Sequence, residues 1–231
     1  MKHKNIKQLD ILWQEGIENQ TLTGIIKGIL EILKLAGVSE KIPIANQGTA
    51  LFLPARIDVE SFLEVGRQKS KRDGFLNGPA ILDALGQVPI YQNKERYAVL
   101  IFKEKIHWSD HDTYIKIGGC AKPDQAAIFS LAQFLPFLYS AKIPNEEING
   151  WTDSMLLLYT RMIIIHELGH VFRLGLTKKE NSTHEEVLNG HCTNTCVMNS
   201  RWDIPFYISI QDNPLCPSCL EELKKYFIET P

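Results

Sequence analysis

Apolar residues recur at helical spacing near the start of the chain and again around residue 160. Between residues 6 and 36 this spacing is interrupted near Thr21 to Gly24, which predicts two helices or one long helix with a break. The strongest helical pattern runs from Trp151 to Leu174, and Gly175 is placed to end that helix. Further helices are predicted from Asp58 to Lys69, from Pro79 to Leu85 and from Glu221 to Ile228.

The middle of the chain carries short runs of β-branched and aromatic residues, which favour strands. The predicted strands are Thr49 to Leu53, Val88 to Tyr91, Tyr97 to Phe102, Thr113 to Ile117 and Ala126 to Leu131. Strands that follow helices in this way predict an α+β fold. We expect residues 1–40 to form an N-terminal helical extension and residues 41–231 to form the main domain. Within that domain, a sheet lobe reaches to about residue 175 and a C-terminal lobe covers 176–231.

Composition narrows the possible partners. The 231 residues are 44% apolar, enough for a sizeable core, and 25 basic against 27 acidic residues give a net charge of -2. This balance does not favour binding to nucleic acid or to an anionic membrane. No run approaches 18 uninterrupted apolar residues, so we expect a cytoplasmic protein. We also expect it to be a monomer. In a reducing compartment, its five cysteines are better explained as metal ligands or buried thiols than as disulfides.

The segment HELGH carries the first candidates for chemistry. His166 and His170 are four residues apart, so on a helix both side chains can reach one ion. Zinc binds neutral imidazole nitrogens, and a catalytic zinc keeps one of its four positions open to water. Glu167 lies next to that position and is a candidate general base. The segment therefore predicts a catalytic zinc site in a metallopeptidase.

Four of the five cysteines lie between residues 192 and 219. They fall into two close pairs, Cys192 with Cys196 and Cys216 with Cys219, and the second pair has the spacing of a zinc knuckle, CPSC. Four thiolates in two such pairs predict a closed, tetrahedral structural zinc site. The alternative is a set of reduced, buried thiols.

These motifs together resemble the archaemetzincins, which are metzincin-type zinc peptidases. The resemblance rests on HELGH, His191-Cys192, Cys196-Val197-Met198 and CPSC, and extends over about residues 42 to 228. It implies a metzincin-like zincin fold, with a mixed twisted sheet, backing helices, an active-site helix and a zinc-stapled C-terminal lobe. It also implies two zinc ions per chain, one catalytic and one structural. In such a fold Met198 would form the Met-turn, which places a methionine side chain beneath the metal site.

The chain departs from the family pattern after the second histidine. Family members usually have a glycine three residues after that histidine and a third histidine six residues after it, followed by a cysteine. Here Arg173 occupies the glycine position and Leu176 the histidine position. Only three residues separate Cys192 from Cys196, where the family usually has four.

The third ligand of the catalytic zinc must therefore come from further along the chain. We predict His191, because it directly precedes Cys192 and follows Asn189-Gly190, a pair that favours a turn. His184 is the alternative histidine, and Glu185 or Glu186 would give a site of two histidines and one glutamate.

The predicted activity is hydrolysis of a peptide bond in a peptide or protein substrate. Zinc would activate the water and Glu167 would move its proton. The competing hypothesis is a catalytically impaired zinc protein that binds a partner and retains only the four-cysteine site. Retention of Glu167 argues against that hypothesis, and the displaced third histidine argues for it.

Overall fold

The structure is a computed structural model that describes residues 6–53, 55–108, 115–133, 145–175, 191–199 and 204–228. Its contacts divide the chain into two compact units. The sheet unit comprises Ile6–Glu18 and Pro43–Asn149, and the helical unit includes Asn19–Ile42 and Gly150–Pro231. Among the described residues, no helix combines the length and the apolar character needed to cross a membrane.

Ten strands and seven α-helices make up the described part of the chain. The strands are β1 Gln8–Trp13, β2 Ile44–Gly48, β3 Ala50–Phe52, β4 Arg56–Asp58, β5 Phe75–Asn77, β6 Arg96–Phe102, β7 Lys105–Trp108, β8 Ile115–Ile117, β9 Gly119–Lys122 and β10 Ala126–Ser130. The helices are α1 Asn19–Leu35, α2 Val59–Lys69, α3 Gly78–Gly86, α4 Pro89–Gln92, α5 Asn145–Val171, α6 Ile204–Ile210 and α7 Pro217–Ile228. A short 3-10 helix, Leu131–Gln133, follows β10.

The sheet unit is built on five strands in the order β2-β1-β6-β10-β9. The first four are parallel, and β9 pairs antiparallel with β10 at one edge. Every residue of β6 from Tyr97 to Phe102 is fully buried, as expected for a central parallel strand covered on both faces. Helices α2 and α3 contribute Phe62, Leu63 and Leu82 to the core beside this sheet. The α+β class predicted from the sequence is confirmed.

The helical prediction for the first residues is wrong in part. Residues Gln8–Trp13 form β1, which lies between β2 and β6 in the sheet, so residues 1–40 are not a separate helical extension. A run of six residues with buried Leu9, Ile11 and Leu12 fits a buried strand as well as a helix, so periodicity alone cannot distinguish them. The second half of the same stretch is helical as predicted, in α1.

Several further segments differ from the sequence prediction, among them strands β2, β5 and β7, which were not predicted. Val88 to Tyr91, predicted as a strand, contains the short helix α4, and Pro89 at its first position has the backbone angle that begins a helix. Helix α6 was not predicted. The predicted helices from Asp58 to Lys69 and Pro79 to Leu85 are confirmed as α2 and α3.

The helical unit is organised around close packing of α1 against α5. A Cβ atom added at Gly24 would overlap Thr160 and come into tight contact with Leu157, and one added at Gly28 would overlap Ile164 and the backbone of Arg161. Two glycines four residues apart lie on one helix face, so they let the two backbones approach. Arg161 also donates to Glu31 of α1, from Nη2 to Oε1 over 2.6 Å. These contacts fix α5, the helix that carries HELGH.

Candidate functional site

The C-terminal turns of α5 bring His166 and His170 together. Their Nε2 atoms are 3.0 Å apart, and the ring centroids are separated by 4.6 Å. The four-residue spacing on a helix accounts for this geometry, because such side chains lie one turn apart on the same face. Both imidazoles therefore direct a nitrogen to one point.

His191 lies beside these two residues. Its ring centroid is 5.2 Å from that of His166 and 5.2 Å from that of His170. One ligand nitrogen from each of the three rings lies within 4.8 Å of the others. We call this group the histidine centre. The alternative ligands His184, Glu185 and Glu186 lie outside the described residues.

Backbone acceptors orient the two rings on the helix. His166 Nδ1 lies 2.7 Å from the carbonyl oxygen of Val197, so Nδ1–H donates to Val197 and Nε2 keeps its lone pair. His170 forms a corresponding hydrogen bond with the backbone of Leu174. Metal-binding histidines usually use the second ring nitrogen in this way. The hydrogen bonds thus leave the two Nε2 atoms, 3.0 Å apart, to face a shared ligand.

Burial keeps these rings neutral. Desolvation, and then the nearby His191, lower the pKa of His166 to about 3. Desolvation also lowers the pKa of His170 well below its ordinary value, with smaller effects from the other two histidines. Neutral imidazole is the form that coordinates zinc, so His166 and His170 are in their metal-binding protonation state at neutral pH.

Glu167 is buried in the same turn of α5, with 2% of its surface exposed. Burial raises the pKa of its carboxyl to about 8, since desolvation disfavours the charged form. A nearby cation would favour the carboxylate and oppose that rise. A glutamate titrating near neutral pH can both accept and release a proton there.

Met198, in the segment 191–199, packs against the same helix, α5. It is fully buried, and a Cβ atom added at Gly169 would overlap its Sδ atom and lie 2.9 Å from its Cε atom. The Met198 side chain occupies the space next to Gly169, so a larger residue would not fit at this position of HELGH. The structure places Met198 where a methionine can support the helix turn that holds His166 and His170.

The four clustered cysteines form a second group, which we call the four-cysteine centre. Their Sγ atoms lie within 4.8 Å of one another. Cys192 Sγ is 3.9 Å from Cys216 Sγ, and Cys196 Sγ is 3.7 Å from Cys219 Sγ. Four sulfurs around one tetrahedral zinc, each at about 2.3 Å, are separated by about 3.8 Å. The residues therefore fit a structural zinc ion.

The acid–base properties of this cluster also favour a cation. The pKa of Cys196 is raised to about 12, first by its hydrogen bond with Cys192 and also by burial. Thiolates packed this closely do not all ionise without a positive charge between them. A metal ion supplies that charge and coordinates the deprotonated sulfurs.

Asn194 is a site residue that sequence reasoning missed. Its backbone N–H donates to Cys192 Sγ over 3.4 Å, and its side-chain amide donates to Cys216 Sγ over 3.5 Å. Donors to sulfur stabilise thiolate ligands from outside the metal shell. Its position between Cys192 and Cys196 was the only sequence signal available.

Arg173 ends α5 in a left-handed conformation, with φ of 63°. The N–H of Leu174 donates to the carbonyl of Gly169 over 2.8 Å, and that of Arg173 to the carbonyl of His170 over 3.0 Å. Such a helix end usually has glycine at the left-handed position, because a side chain is strained there. Arg173 thus adopts a backbone conformation for which glycine is the usual residue.

Comparison with known proteins gives structural matches only. No family model matches the sequence, and no curated protein matches it. The structure is similar to the crystal structure of archaemetzincin from Methanopyrus kandleri, with a TM-score of 0.57 and 19% identity over 97% of each chain. It is also similar to a zinc-dependent peptidase from Methanocorpusculum labreanum, with a TM-score of 0.51 and 15% identity over 93% of this chain and 99% of that one.

These similarities extend over nearly the whole chain, and at this level of identity they concern the fold. The described residues form a mostly parallel central sheet with backing helices, and this arrangement matches the archaemetzincin structure. The predicted fold, a mixed sheet with backing helices, is therefore confirmed. The chain has the archaemetzincin fold.

Proposed function

We propose that the chain is a zinc-dependent peptidase whose catalytic zinc is held by His166, His170 and His191. The observation that carries the proposal is that three imidazoles converge at the helix turn that also contains the buried Glu167. Three protein ligands with one open position are typical of catalytic zinc, whereas structural zinc sites are closed. The two structural relatives, an archaemetzincin and a zinc-dependent peptidase, support the same assignment.

We further propose a second, structural zinc ion in the four-cysteine centre, which gives two ions per chain. Its four sulfurs have the spacing of a tetrahedral site, and Asn194 donates to two of them. Thiolate ligands favour zinc over magnesium or calcium, which prefer oxygen ligands. The two ligand sets share no residue, so each ion has its own site.

Zinc bound at the histidine centre would supply a Lewis acid that polarises the peptide carbonyl and lowers the pKa of water to about 7. Glu167 accepts the proton of the attacking water and delivers it to the leaving amine. Its place on α5, one residue after His166 and three before His170, would put it beside a bound zinc ion and outside the ligand set. Val197 and Leu174 hold the imidazoles in the orientation that this chemistry needs.

The substrate that fits this chemistry is a peptide or a protein, since the proposed reaction is amide hydrolysis. The competing hypothesis was a partner-binding protein that has lost its catalytic site because the third histidine is displaced. The position of His191, with its ring centroid 5.2 Å from those of His166 and His170, supports the peptidase over that hypothesis. The two hypotheses differ most clearly in whether Glu167 matters for turnover.

Glu167→Gln tests the proposal. The substitution keeps the three imidazoles, so the zinc content should stay at the wild-type value while hydrolysis of a mixture of quenched fluorescent peptides falls about 10²- to 10⁴-fold. Glu221→Gln is the matched control, because Glu221 is exposed on α7 and pairs only with Lys225 among the described ion pairs. Equal, zinc-dependent rates for wild type and Glu167→Gln would reject Glu167 as the general base. No zinc-dependent hydrolysis by either protein would reject the peptidase assignment.

A further inference from the structure

One short segment, residues 191–199, contributes to both metal centres. His191 belongs to the histidine centre, and the next residue, Cys192, belongs to the four-cysteine centre. At the other end, Cys196 belongs to the four-cysteine centre, and the next residue, Val197, accepts the hydrogen bond from His166. At two places within these nine residues, a ligand of the four-cysteine centre is therefore the sequence neighbour of a group that ligates or orients the histidine centre.

Backbone hydrogen bonds close this segment into a compact loop. The N–H of Cys192 donates to the carbonyl of Met198 over 2.8 Å, which joins the two ends. The N–H of Asn199 donates to the carbonyl of Cys196 over 2.9 Å, and the N–H of Val197 donates to the carbonyl of Pro214 over 2.6 Å. A shift at either cysteine thus moves the groups next to it.

The loop lacks regular secondary structure, so its position depends on what holds its cysteines. Cys192 faces Cys216, and Cys196 faces Cys219. Cys216 and Cys219 lie at the start of α7. A cation between the four sulfurs links the loop to α7 at two points. Without it, the same sulfurs are a buried group of thiols with weak mutual hydrogen bonds.

We propose that metal in the four-cysteine centre positions His191 and the Val197 carbonyl, and thereby sets the affinity of the histidine centre for zinc. Cys192 and Cys196 are positioning residues in this account. Filling the cysteine site fixes the loop, and the fixed loop completes the three-histidine site. The inference rests on the proposed function, because it assumes that the histidine centre binds zinc.

The coupling has a size and a direction that can be measured. Binding of one ion that orders the loop lowers the cost of binding the second, and such couplings are usually about 5- to 150-fold in affinity. By thermodynamic linkage, an ion at the histidine centre must tighten the four-cysteine centre by the same factor. A purely structural cysteine site would leave the affinity of the histidine centre unchanged as long as the chain stays folded.

The experiment measures zinc affinity in full-length protein by competition with a chelating dye. The histidine-centre affinity is the part of zinc binding that His170→Ala removes. In Cys219→Ser that affinity should fall about 10- to 100-fold. Leu223→Ala is the matched control, because Leu223 is fully buried in α7 and ligates nothing, so its loss destabilises the same helix without opening either centre.

Wild-type affinity in folded Cys219→Ser would overturn the proposal, and so would an equal loss in folded Leu223→Ala. The absence of any His170-dependent zinc in the wild type would overturn the proposed function together with the coupling. If Cys219→Ser does not fold, the coupling is tested by the effect of the histidine centre on metal affinity at the four-cysteine centre. Cadmium in the four-cysteine centre, followed by its thiolate absorption, should dissociate about 10- to 100-fold more readily from His170→Ala than from zinc-loaded wild type. Equal cadmium affinities would overturn the coupling.

Discussion

Gly169 is the residue at which α5 and the Met198 side chain meet. In most helices, replacing glycine by alanine is stabilising by about 1 kcal/mol, because alanine restricts the unfolded chain more and favours the helix. Here the added methyl group would overlap the Met198 sulfur. Overpacking of a dense core costs about 1–3 kcal/mol. The steric effect should exceed the gain in helix propensity.

Gly169→Ala should therefore lower the free energy of unfolding by about 1–2 kcal/mol and weaken zinc binding at the histidine centre. Urea unfolding and zinc titration measure the two effects. The control is the same substitution in a Met198→Ala background, where the methyl group has room and the change should be neutral or stabilising. An equal loss of stability in both backgrounds would show that the Gly169–Met198 contact does not determine the residue.

The burial of Glu167 predicts a specific dependence of stability on pH. Its pKa is raised to about 8 in the folded chain, while a glutamate in an unfolded chain titrates near about 4.3. Between these values the folded protein retains a proton that the unfolded chain releases, so the folded state loses stability as pH rises through this window. Glutamine carries no such proton.

With the histidine centre freed of metal by a mild chelator, Glu167→Gln should be more stable than wild type at pH 9, by at least about 1 kcal/mol. The difference should shrink as pH falls and vanish near pH 4, because both proteins are then uncharged at this position. Added zinc should reduce the difference at pH 9, since a cation stabilises the carboxylate. Urea unfolding at several pH values measures it, and a pH-independent difference would contradict the burial argument.

At the scale of the elements, the end of α5 is strained at Arg173. Its φ of 63° lies in the left-handed region, where a residue with a Cβ atom costs roughly 1–2 kcal/mol more than glycine. Arg173→Gly should raise the free energy of unfolding by about 1 kcal/mol, as measured by urea or thermal unfolding. Arg173→Ala is the control, because alanine keeps the Cβ atom and should give no gain. Stabilisation by both substitutions alike would locate the effect in the arginine side chain instead of the backbone.

The spacing of apolar residues predicted secondary structure best in long periodic segments. The apolar stretch that predicts α5 is several turns long, so its helical period is distinct, whereas β1 has six residues and its apolar positions fit either period. Pairing with β2 and β6, which lie far along the chain, determines that β1 is a strand. Local sequence does not contain that information.

The site was more predictable than the fold around it, because its ligand types are rare and closely spaced. HELGH places two histidines and a glutamate on one helix face, and paired cysteines indicate a tetrahedral ion. The proximity of His191 to the helix depends on tertiary structure, although its place next to Cys192 suggested it. The roles of Asn194 and of the Val197 carbonyl depend on hydrogen-bond geometry that no sequence pattern specifies.

At the scale of the whole molecule, the two proposed zinc ions both bind in the C-terminal part of the chain. The sheet unit has its own apolar core, while the residues around α7 combine a smaller set of buried side chains with the four-cysteine centre. A closed zinc site contributes directly to folding in such regions. The number of bound ions and the identity of their ligands are therefore the central claim.

The measurement that tests this claim most directly is an anomalous difference map at the zinc absorption edge, from crystals of protein purified without added metal. The account predicts two peaks per chain, one bound by His166, His170 and His191 and one bound by Cys192, Cys196, Cys216 and Cys219. A histidine-centre peak ligated by His184 or Glu185 instead of His191 would contradict the proposed ligand set. A map with no zinc at the histidine centre, in protein shown to be fully loaded, would contradict the peptidase assignment itself.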